Sequence, residues 1–494
     1  MPIPARLRLR GGAAVCIGAM YLVLAGSLML TQKPGVDEGW FANPGWTLST
    51  RGYMGTSAMQ ESIFKGGRDL TGINHRTYWI MPLQPVGEAL WFHLVGLGVI
   101  QLRAWSVLWG MVALLCWWRI ARVLLEGEVL AAFATGLIAV DYTFVRVAAQ
   151  GRMDMMCAAL GLAGVSFYLD LRETRLNLAF LASHAALAGS LFTHPNGILY
   201  LFAAWVCVWM LDLRRLRPVH VLLAAVPYLV GCAAWGLYIL QAPDIFRRQF
   251  AGNAAGRLSD LFMPWQALKT DIRERYLGLG AGSLHLLKIV SVSPYLLGIG
   301  GALAIRPVRG SRGCRILICW ALGVFVYFWL FESTKLFLYV VHIAPICLVL
   351  LVACGDWLVD QRHIVPRWAA IAGVAAFLAI QIGGCALVAR RNNMAGYAAA
   401  AQYLDPHVKK GELVMASSEF GIPLQYPDNL IDDQRLGCGT GRRPDLIVVT
   451  DRYAEWFDWA VRNEPETSAC IQRLLTRDYH EVFREGGISV SQRN

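Results

Sequence analysis

Charge is scarce in this sequence. Only 16% of the 494 residues are charged and 56% are hydrophobic, whereas about 25% of a soluble domain is charged. Metal-binding cysteine patterns are missing too, because the 12 cysteines form no CxxC pair and no zinc-ligand spacing. Tandem repeats, low-complexity segments and nucleic-acid motifs are also absent from the sequence. The formal net charge of +11 therefore indicates membrane topology and no nucleic-acid partner.

The hydrophobic residues are concentrated in nearly uncharged blocks of about 17–22 residues, the length that crosses the hydrocarbon core of a bilayer. The first block, Gly12–Thr31, follows MPIPARLRLR without a clear cleavage site, so we expect an uncleaved first span. The sequence predicts an all-α polytopic membrane protein with about eleven spans. They lie at 12–31, 104–118, 129–140, 155–171, 176–192, 197–211, 220–240, 284–304, 316–331, 336–351 and 368–388.

One apolar piece, residues 82–100, decides the orientation of all later spans. It carries Glu88 and begins with two prolines, so we interpret it as an interfacial helix. With that choice every Arg-rich loop, near residues 119, 172, 214, 306 and 362, lies on the same side as Arg6, Arg8 and Arg10. Because Arg-rich loops resist translocation, we expect a cytoplasmic N-terminus in the inner membrane, and a first outer loop, 32–103, outside.

The tail differs from the rest of the chain. Residues 395–494 are charged and contain strand-like runs at 412–416 and 446–450, flanked by helical patterns at 395–404 and 469–477. We predict a transmembrane domain, 1–394, followed by a small extracytoplasmic α/β domain, 395–494. Cys438 and Cys470 lie in this tail, and they either pair in an oxidising compartment or remain free thiols.

Two adjacent carboxylates, Asp37 and Glu38, follow the first span directly. Such a pair is placed to accept a proton from a hydroxyl group or to hold a divalent cation. The alternative is that Asp37 is the N-cap of an interfacial helix at 38–48, because aspartate is a preferred N-cap residue.

Cations and polar groups recur at the predicted outer ends of the spans. Several cations at one membrane depth suit a lipid phosphate and stabilise a phosphate leaving group. The alternatives are snorkelling side chains, a simple ion pair at Arg152-x-Asp154, and an aromatic belt that includes Trp40. The cations and polar groups in question are Arg152, Asp154, His194, Arg257, Lys335 and Tyr339.

The order of these pieces resembles the GT-C glycosyltransferases, in particular the superfamily of protein O-mannosyltransferases, aminoarabinose transferases and Rgt-type enzymes. The matching motifs cover most of the chain, although the family's Pro-Pro pair is split here and a lysine of the family is replaced by His194. They are Asp37-Glu38, the segment from Tyr78 to Pro85, Gly96, Arg103, Arg152-Met153-Asp154, the turn Thr193-His194-Pro195-Asn196-Gly197, and Lys335 with Tyr339 and Pro345.

The resemblance implies an inverting transferase that uses a sugar on a polyprenyl phosphate and an envelope lipid, glycan or protein as acceptor. It implies no nucleotide donor and leaves a divalent cation at Asp37 and Glu38 open. Asp37 would take the acceptor's proton with the support of Glu38. The phosphate would be held by Lys335, Tyr339, His194 and Arg152, and the substrates would be contacted by Tyr78, Asp154, Trp40 and Arg257.

A transporter or flippase that uses intramembrane charges such as Asp154 and Glu88 is the alternative function. The sequence shows no inverted repeat of broken helices, which such a protein often has. A non-catalytic assembly scaffold is a third interpretation. Replacing Asp37 by Asn separates the three, since only an enzyme would lose turnover while it keeps donor binding.

Overall fold

The structure, a computed structural model, describes residues 12–59, 69–257, 259–278 and 285–494. Arg6, Arg8 and Arg10 lie outside the described residues. The first half of the chain is helical. Its helices are α1 Gly12–Thr31, α2 Val36–Arg51, α3 Leu83–Val95, α4 Val99–Leu124, α5 Glu128–Val140, α6 Tyr142–Ala148, α7 Met153–Leu171, α8 Leu176–Thr193, α9 Ile198–Leu211, α10 Pro218–Ile239, α11 Pro243–Arg257 and α12 Pro264–Thr270.

Helices also form the next part of the chain, and within the described ranges eight helices are long and apolar enough to cross a membrane. The number is nine if the pair α5–α6, bent by 63°, is one span, and there are two shorter apolar helices, Pro195–Leu211 and Lys288–Ala304, so the count is roughly consistent with the eleven spans predicted. The polytopic membrane fold is thus confirmed. These later helices are α13 His285–Ala304, α14 Arg306–Gly310, α15 Arg312–Leu330, α16 Ala344–Asp356 and α17 Arg367–Arg390.

The piece predicted to lie at the interface forms α3, which has only 13 residues. At 1.5 Å per residue it is about 20 Å long, too short to cross the hydrocarbon core. Gly96, with a φ of 80°, follows its last residue in a backbone conformation that glycine adopts readily. The chain then enters α4 at Val99.

The tenth span differs from its prediction. A continuous helix was expected over 336–351, but a 3₁₀ segment, Phe337–His342, comes first and α16 begins only at Ala344. Pro345 lies in the first turn of α16, where its missing N–H costs no helical hydrogen bond. The same proline has no N–H to donate to the carbonyl of Val341, so an unbroken α-helix cannot run into it from the preceding residues, which a count of apolar residues does not register.

The ion pairs of the bundle show at which end the predicted Arg-rich loops lie. Arg152 precedes α7 and Arg172 follows it, so its 19 residues separate them by about 29 Å. At the Arg172 end, Asp212 binds Arg172 at 2.6 Å and Arg215 at 2.8 Å, and Asp170 lies 3.4 Å from Arg119. The predicted Arg-rich loops near residues 119, 172 and 214 therefore lie at the end of the bundle that is remote from Arg152. Arg312 and Gln361, next to the loops near residues 306 and 362, line a cavity at the same end with Leu124.

The C-terminal domain contains a five-stranded sheet of order β2-β1-β3-β5-β4. The first three strands are parallel, and β4 and β5 form an antiparallel hairpin through Gly486 and Gly487, both at positive φ, as a tight hairpin turn requires. The small α/β domain is confirmed, and its boundary at residue 394 stays a prediction. The strands are β1 Val414–Met415, β2 Leu430–Ile431, β3 Leu446–Val449, β4 Tyr479–Glu485 and β5 Ile488–Arg493.

Helices cover this sheet and complete its core. They are α18 Met394–Lys409, α19 Gly421–Leu424, α20 Asp451–Asn463 and α21 Pro465–Arg473. Tyr397 and Leu404 of α18 pack on Val448 and Ile488 of the sheet. Cys438 and Cys470 form a disulfide, with Cα atoms 6.1 Å apart, so the pairing alternative is the one that the structure adopts.

Candidate functional site

Asp37 lies in the first turn of α2, whose N-cap is Gly35. The interpretation of Asp37 as an N-cap was therefore wrong, because the helix starts two residues earlier than predicted. Glu38 accepts a hydrogen bond from the backbone N–H of the N-cap residue, Gly35. Asp37 instead keeps 38% of its side chain exposed and contacts Nη1 of Arg152 through Oδ2. It is the more accessible carboxylate of the pair.

Glu38, in contrast, is buried and fully engaged. Its two oxygens accept bonds from Nε and Nη2 of Arg103 at 2.8 and 2.9 Å, and from the backbone N–H groups of Gly151 and Gly35, each at 2.8 Å. Burial alone would raise the pKa of Glu38, but Arg103 and the two backbone N–H groups hold that pKa below its usual value. Glu38 thus stays ionised and positions its neighbour Asp37.

Arg103 extends this arrangement to the preceding helix. Its Nη1 donates to the carbonyl oxygens of Met29 at 2.8 Å and Gln32 at 2.6 Å, at the end of α1. The Glu38–Arg103 pair therefore ties α1, α2 and α4 together at one point. Such a buried pair fixes the geometry of the site more than it adds net stability.

Arg152 connects Asp37 with a second carboxylate deeper in the bundle. Its Nε donates to Oδ2 of Asp154 at 2.9 Å, and Asp154 is wholly buried in the first turn of α7. A carboxylate is favourable there, because the N-terminal end of a helix dipole is positive. The other oxygen of Asp154, Oδ1, accepts no hydrogen bond from the described residues.

His194 faces the same region because Pro195 ends α8. The residue before a proline is pushed to extended backbone, and His194 has φ −155° and ψ 144°. Its Nδ1 accepts the backbone N–H of Asn196 at 3.1 Å, and its ring centroid lies 5.8 Å from that of Tyr339. His194 and Tyr339 both interact electrostatically with Asp154.

Arg257, at the end of α11, is the cation next to Tyr339. Its Nη1 lies 2.5 Å from Oε2 of Glu332, and its side chain also reaches Tyr339. The polar groups thus form a continuous cluster from the cavity into the bundle. In order, its members are Asp37, Arg152, Asp154, His194, Tyr339 and Arg257.

Lys335 is enclosed by acceptors. Its ammonium group lies 2.5 Å from Asp260 and 3.5 Å from Asp271, and it donates to the carbonyl oxygens of Phe328, Trp329 and Glu332 at 3.0–3.3 Å. An ammonium group has three donors, all of which are engaged in this conformation. Its contact with a lipid phosphate stays a prediction, and it would require some of these bonds to open.

Tyr78 and Trp40, the predicted aromatic contacts, have different partners. The hydroxyl of Tyr78 donates to the carbonyl of Tyr238 at 3.0 Å, and its ring packs on Tyr238 and Phe246. Trp40 donates through its indole nitrogen to Asp432 at 2.9 Å. Trp40 therefore joins α2 to the C-terminal domain.

A cavity of about 690 Å³ opens between the bundle and the C-terminal domain. Asp37, Trp40 and Arg152 line it from the bundle side. The C-terminal domain contributes five lining residues that the sequence did not single out, since nothing local marks them as neighbours of Asp37. They are Glu419, Thr450, Asp451, Arg452 and Glu455.

A second cavity, of about 600 Å³, is almost entirely apolar. It is lined by α3, α8 and α10, including Leu83, Phe192 and Trp235. Phe192 lies two residues before His194, so this apolar space adjoins the polar cluster along the chain. Helix α10 has no buried residue in its membrane-crossing window, which places it at the outer face of the bundle.

Metal ligands are sparse here. Among the described residues, no group of three or more His, Cys, Asp or Glu side chains could hold a metal ion. Both oxygens of Glu38 are already hydrogen-bonded, which leaves Asp37 as a single carboxylate ligand. The residues at the predicted pair therefore do not fit a divalent cation.

The helical bundle followed by a small C-terminal sheet has the GT-C fold that the motif order predicted. Among solved structures, the chain is similar to ArnT from Cupriavidus metallidurans bound to undecaprenyl phosphate, with 17% identity, a TM-score of 0.61 and coverage of 97% of this chain and 98% of that one. The apo state of that ArnT gives a TM-score of 0.60, with 17% identity and 97% of each chain covered.

The chain is also similar to the archaeal oligosaccharyltransferase AglB from Archaeoglobus fulgidus, solved with an inhibitory peptide and a dolichol-phosphate. That match has 10% identity and a TM-score of 0.51, and it covers 97% of this chain and 74% of the other. No protein-family model and no curated protein matches the sequence. At these identities the likeness shows the fold, and the chemistry must be argued from the site.

Proposed function

We propose that this protein is an inverting glycosyltransferase that moves a sugar from a polyprenyl phosphate to an envelope lipid, glycan or protein on the outer face of the inner membrane. The observation that carries the proposal is the position of Asp37. It is an accessible carboxylate in a cavity between bundle and domain, and Arg152 joins it to the polar cluster that ends at Tyr339 and Arg257.

In the proposed reaction, Asp37 removes the proton from an acceptor hydroxyl as its oxygen attacks the anomeric carbon. The new carbon–oxygen bond forms on the face opposite the bond to phosphate, which breaks and leaves polyprenyl phosphate with its electron pair. The hydrogen bond described for Asp37 uses Oδ2, so Oδ1 is available as the base. General base catalysis of this kind contributes about 10²–10⁴-fold to the rate.

The departing phosphate gains negative charge, and Arg257, Tyr339 and His194 form the group proposed to stabilise it. Charge-assisted bonds from a guanidinium suit phosphate oxygens, and Tyr339 adds a hydroxyl donor beside Arg257. The apolar cavity between α3, α8 and α10 offers a surface for the prenyl chain. A donor in this position would span the polar cluster and the outer face of the bundle.

The proposed orientation puts Asp37 and the C-terminal domain outside the cytoplasm. The Arg-rich loops lie at the opposite end of the bundle, and such loops stay in the cytoplasm. The Cys438–Cys470 disulfide supports the same orientation, because disulfides persist in oxidising compartments. An outer-face reaction would then meet donor lipid from the membrane and acceptor from the aqueous side.

Complementation of a strain that lacks the gene tests the proposal. Mass spectrometry of envelope lipids, glycans and proteins should show one sugar-bearing species lost on deletion, restored by the parent chain and not by Asp37→Asn. The matched control Asp458→Asn, an exposed aspartate of the C-terminal domain, should restore it. In nanodiscs, the Asp37→Asn variant should still bind undecaprenyl phosphate. Full restoration by Asp37→Asn would refute a base at this position.

A further inference from the structure

Glu419 is a buried carboxyl group with an unused oxygen in the wall of the Asp37 cavity. Glu419 is one of the residues that line the cavity, although it is only 6% exposed. Oε1 accepts the hydroxyl of Ser417 at 2.6 Å. Oε2 accepts no hydrogen bond from any residue that the structure describes. A buried polar atom without a partner is costly, so its retention at a cavity points to a ligand.

The backbone around Glu419 is held against the helix that carries Asp37. A Cβ on Gly39 would come within 2.4 Å of the backbone nitrogen of Glu419, so only glycine permits this approach. Ser418 donates to the carbonyl of Val36 at 3.2 Å, and Tyr397 donates to the carbonyl of Glu419 at 2.6 Å. The carboxyl of Glu419 therefore has a fixed position relative to the first turn of α2.

Charge near Glu419 favours a neutral or cationic donor as its partner. Burial raises the pKa of Glu419 to about 7, although hydrogen bonding to the hydroxyl of Ser417 and to its own backbone N–H opposes the rise; the negative charge of Asp432 raises the pKa further and Lys33 lowers it. An under-solvated carboxyl group gains most from a donor that replaces the missing water. Hydroxyl and amino groups of a polar acceptor supply such donors, whereas a phosphate does not.

We propose that Glu419 binds the acceptor, with Oε2 receiving a hydrogen bond from a second hydroxyl or amino group while Asp37 takes the proton from the attacking hydroxyl. This inference rests on the proposed glycosyl transfer. It assigns the C-terminal domain a direct part in acceptor recognition, since Glu419 belongs to that domain. The donor lipid is held on the opposite, bundle side by Arg257 and Tyr339.

The test measures transfer by the full chain in nanodiscs that contain the lipid extract of the deletion strain as donor source. Envelope vesicles of that strain, added in increasing amounts, are the acceptor probe, and mass spectrometry follows the product. Glu419→Gln keeps the shape of the side chain and presents an amide in place of the carboxylate. Glu466→Gln, at an exposed position of α21, is the matched control.

For Glu419→Gln we expect the amount of vesicles at half-maximal rate to rise about tenfold or more, as for a lost hydrogen bond to a charged group. The maximal rate and the affinity for undecaprenyl phosphate should match those of the parent and of Glu466→Gln. Ser417→Ala, which frees Oε1, should raise the half-saturating amount by a smaller factor.

An unchanged half-saturating amount, or a loss confined to the maximal rate, would overturn the role of Glu419 in acceptor binding. Asp37→Asn in the same assay reports on the proposed function separately. If the parent transfers nothing, or Asp37→Asn transfers as well as the parent, glycosyl transfer by Asp37 fails and the role of Glu419 fails with it. If the parent turns over, Asp37→Asn does not, and Glu419→Gln has the half-saturating amount of the parent, only the role of Glu419 in acceptor binding is refuted.

Discussion

The indole nitrogen of Trp40 donates to Oδ2 of Asp432 at 2.9 Å, although 392 positions separate the two residues. Asp432 is fully buried and also accepts the hydroxyl of Tyr453 at 2.8 Å and the backbone N–H of Ser418 at 3.0 Å. Three donors from two parts of the chain thus converge on one carboxyl group. This contact fixes the C-terminal domain beside the residue pair that opens α2.

Replacing Trp40 by Phe should weaken this junction. The variant keeps an aromatic ring but lacks the donor to Asp432, and a buried acceptor that loses a partner costs about 1–3 kcal/mol. Hydrogen exchange at the backbone N–H of Ser418 should accelerate, with less change in α7. Trp209→Phe, a control at an exposed site in α9, should leave this exchange unaltered; equal exchange in both variants would contradict the role of the contact.

Gly39→Ala should separate the domain from α2. The added Cβ would lie 2.4 Å from the carbonyl carbon of Ser418 and 2.4 Å from the nitrogen of Glu419, and backbone atoms cannot yield as a flexible side chain does. We expect faster proteolysis of the C-terminal domain and a loss of transfer. Gly26→Ala in α1 has nothing within 4 Å and should behave as the parent. A protease-resistant, active Gly39→Ala chain would disprove the close approach.

The Glu38–Arg103 pair should show strong coupling. Glu38→Gln leaves the guanidinium of Arg103 buried without its counter-charge, which costs about 3–5 kcal/mol. The double variant Glu38→Gln with Arg103→Gln removes both charges, so its loss of stability should be well below the sum of the two single losses. Thermal inactivation in nanodiscs measures all three variants. Additive losses would show that the two side chains act independently.

Glu419 should give stability a specific pH dependence. Its pKa is raised from 4.5 to about 7 by burial, so ionisation costs folding free energy, and that cost grows from pH 4.5 to about pH 7 and then stays constant. Glu419→Gln removes the cost. The unfolding midpoint of the variant, relative to that of the parent, should therefore increase as the pH rises from 4.5 to 7. Lys33 and Asp432 are present in both chains and affect both midpoints alike. A constant difference between the two midpoints from pH 4.5 to 7 would indicate that Glu419 is an ordinary, solvated carboxyl group.

The apolar spans could be predicted from the sequence because each depends on its own composition. The unusual backbone of the tenth span could not, since Pro345 shifts the helix start without altering the hydropathy of its block. Asp37 was located correctly past the first span, but its helix begins at Val36. Local preference for an aspartate cap was outweighed there by the bond from Gly35 to Glu38.

Long-range contacts explain what the sequence did not reveal about the site. Glu419 has no local motif, and its proximity to α2 arises from the approach of Gly39, which only the folded chain shows. Lys335 was predicted at a span end as a contact for a lipid phosphate, but Asp260 and Asp271, more than 60 positions earlier in the chain, enclose it. The two strands of the C-terminal hairpin, β4 and β5, are half-exposed and polar. Their sequences therefore lack the apolar run that marked the predicted strands.

The cavity beside Asp37 joins residues from the first turn of α2 to residues 419–455. During synthesis on the ribosome, the acidic pair emerges hundreds of residues before the opposite wall exists. A nascent chain therefore has its membrane helices and Asp37, but no enclosed cavity, until its C-terminal domain has folded. Under the proposed function, the order of translation itself would keep an incomplete chain from consuming its sugar donor.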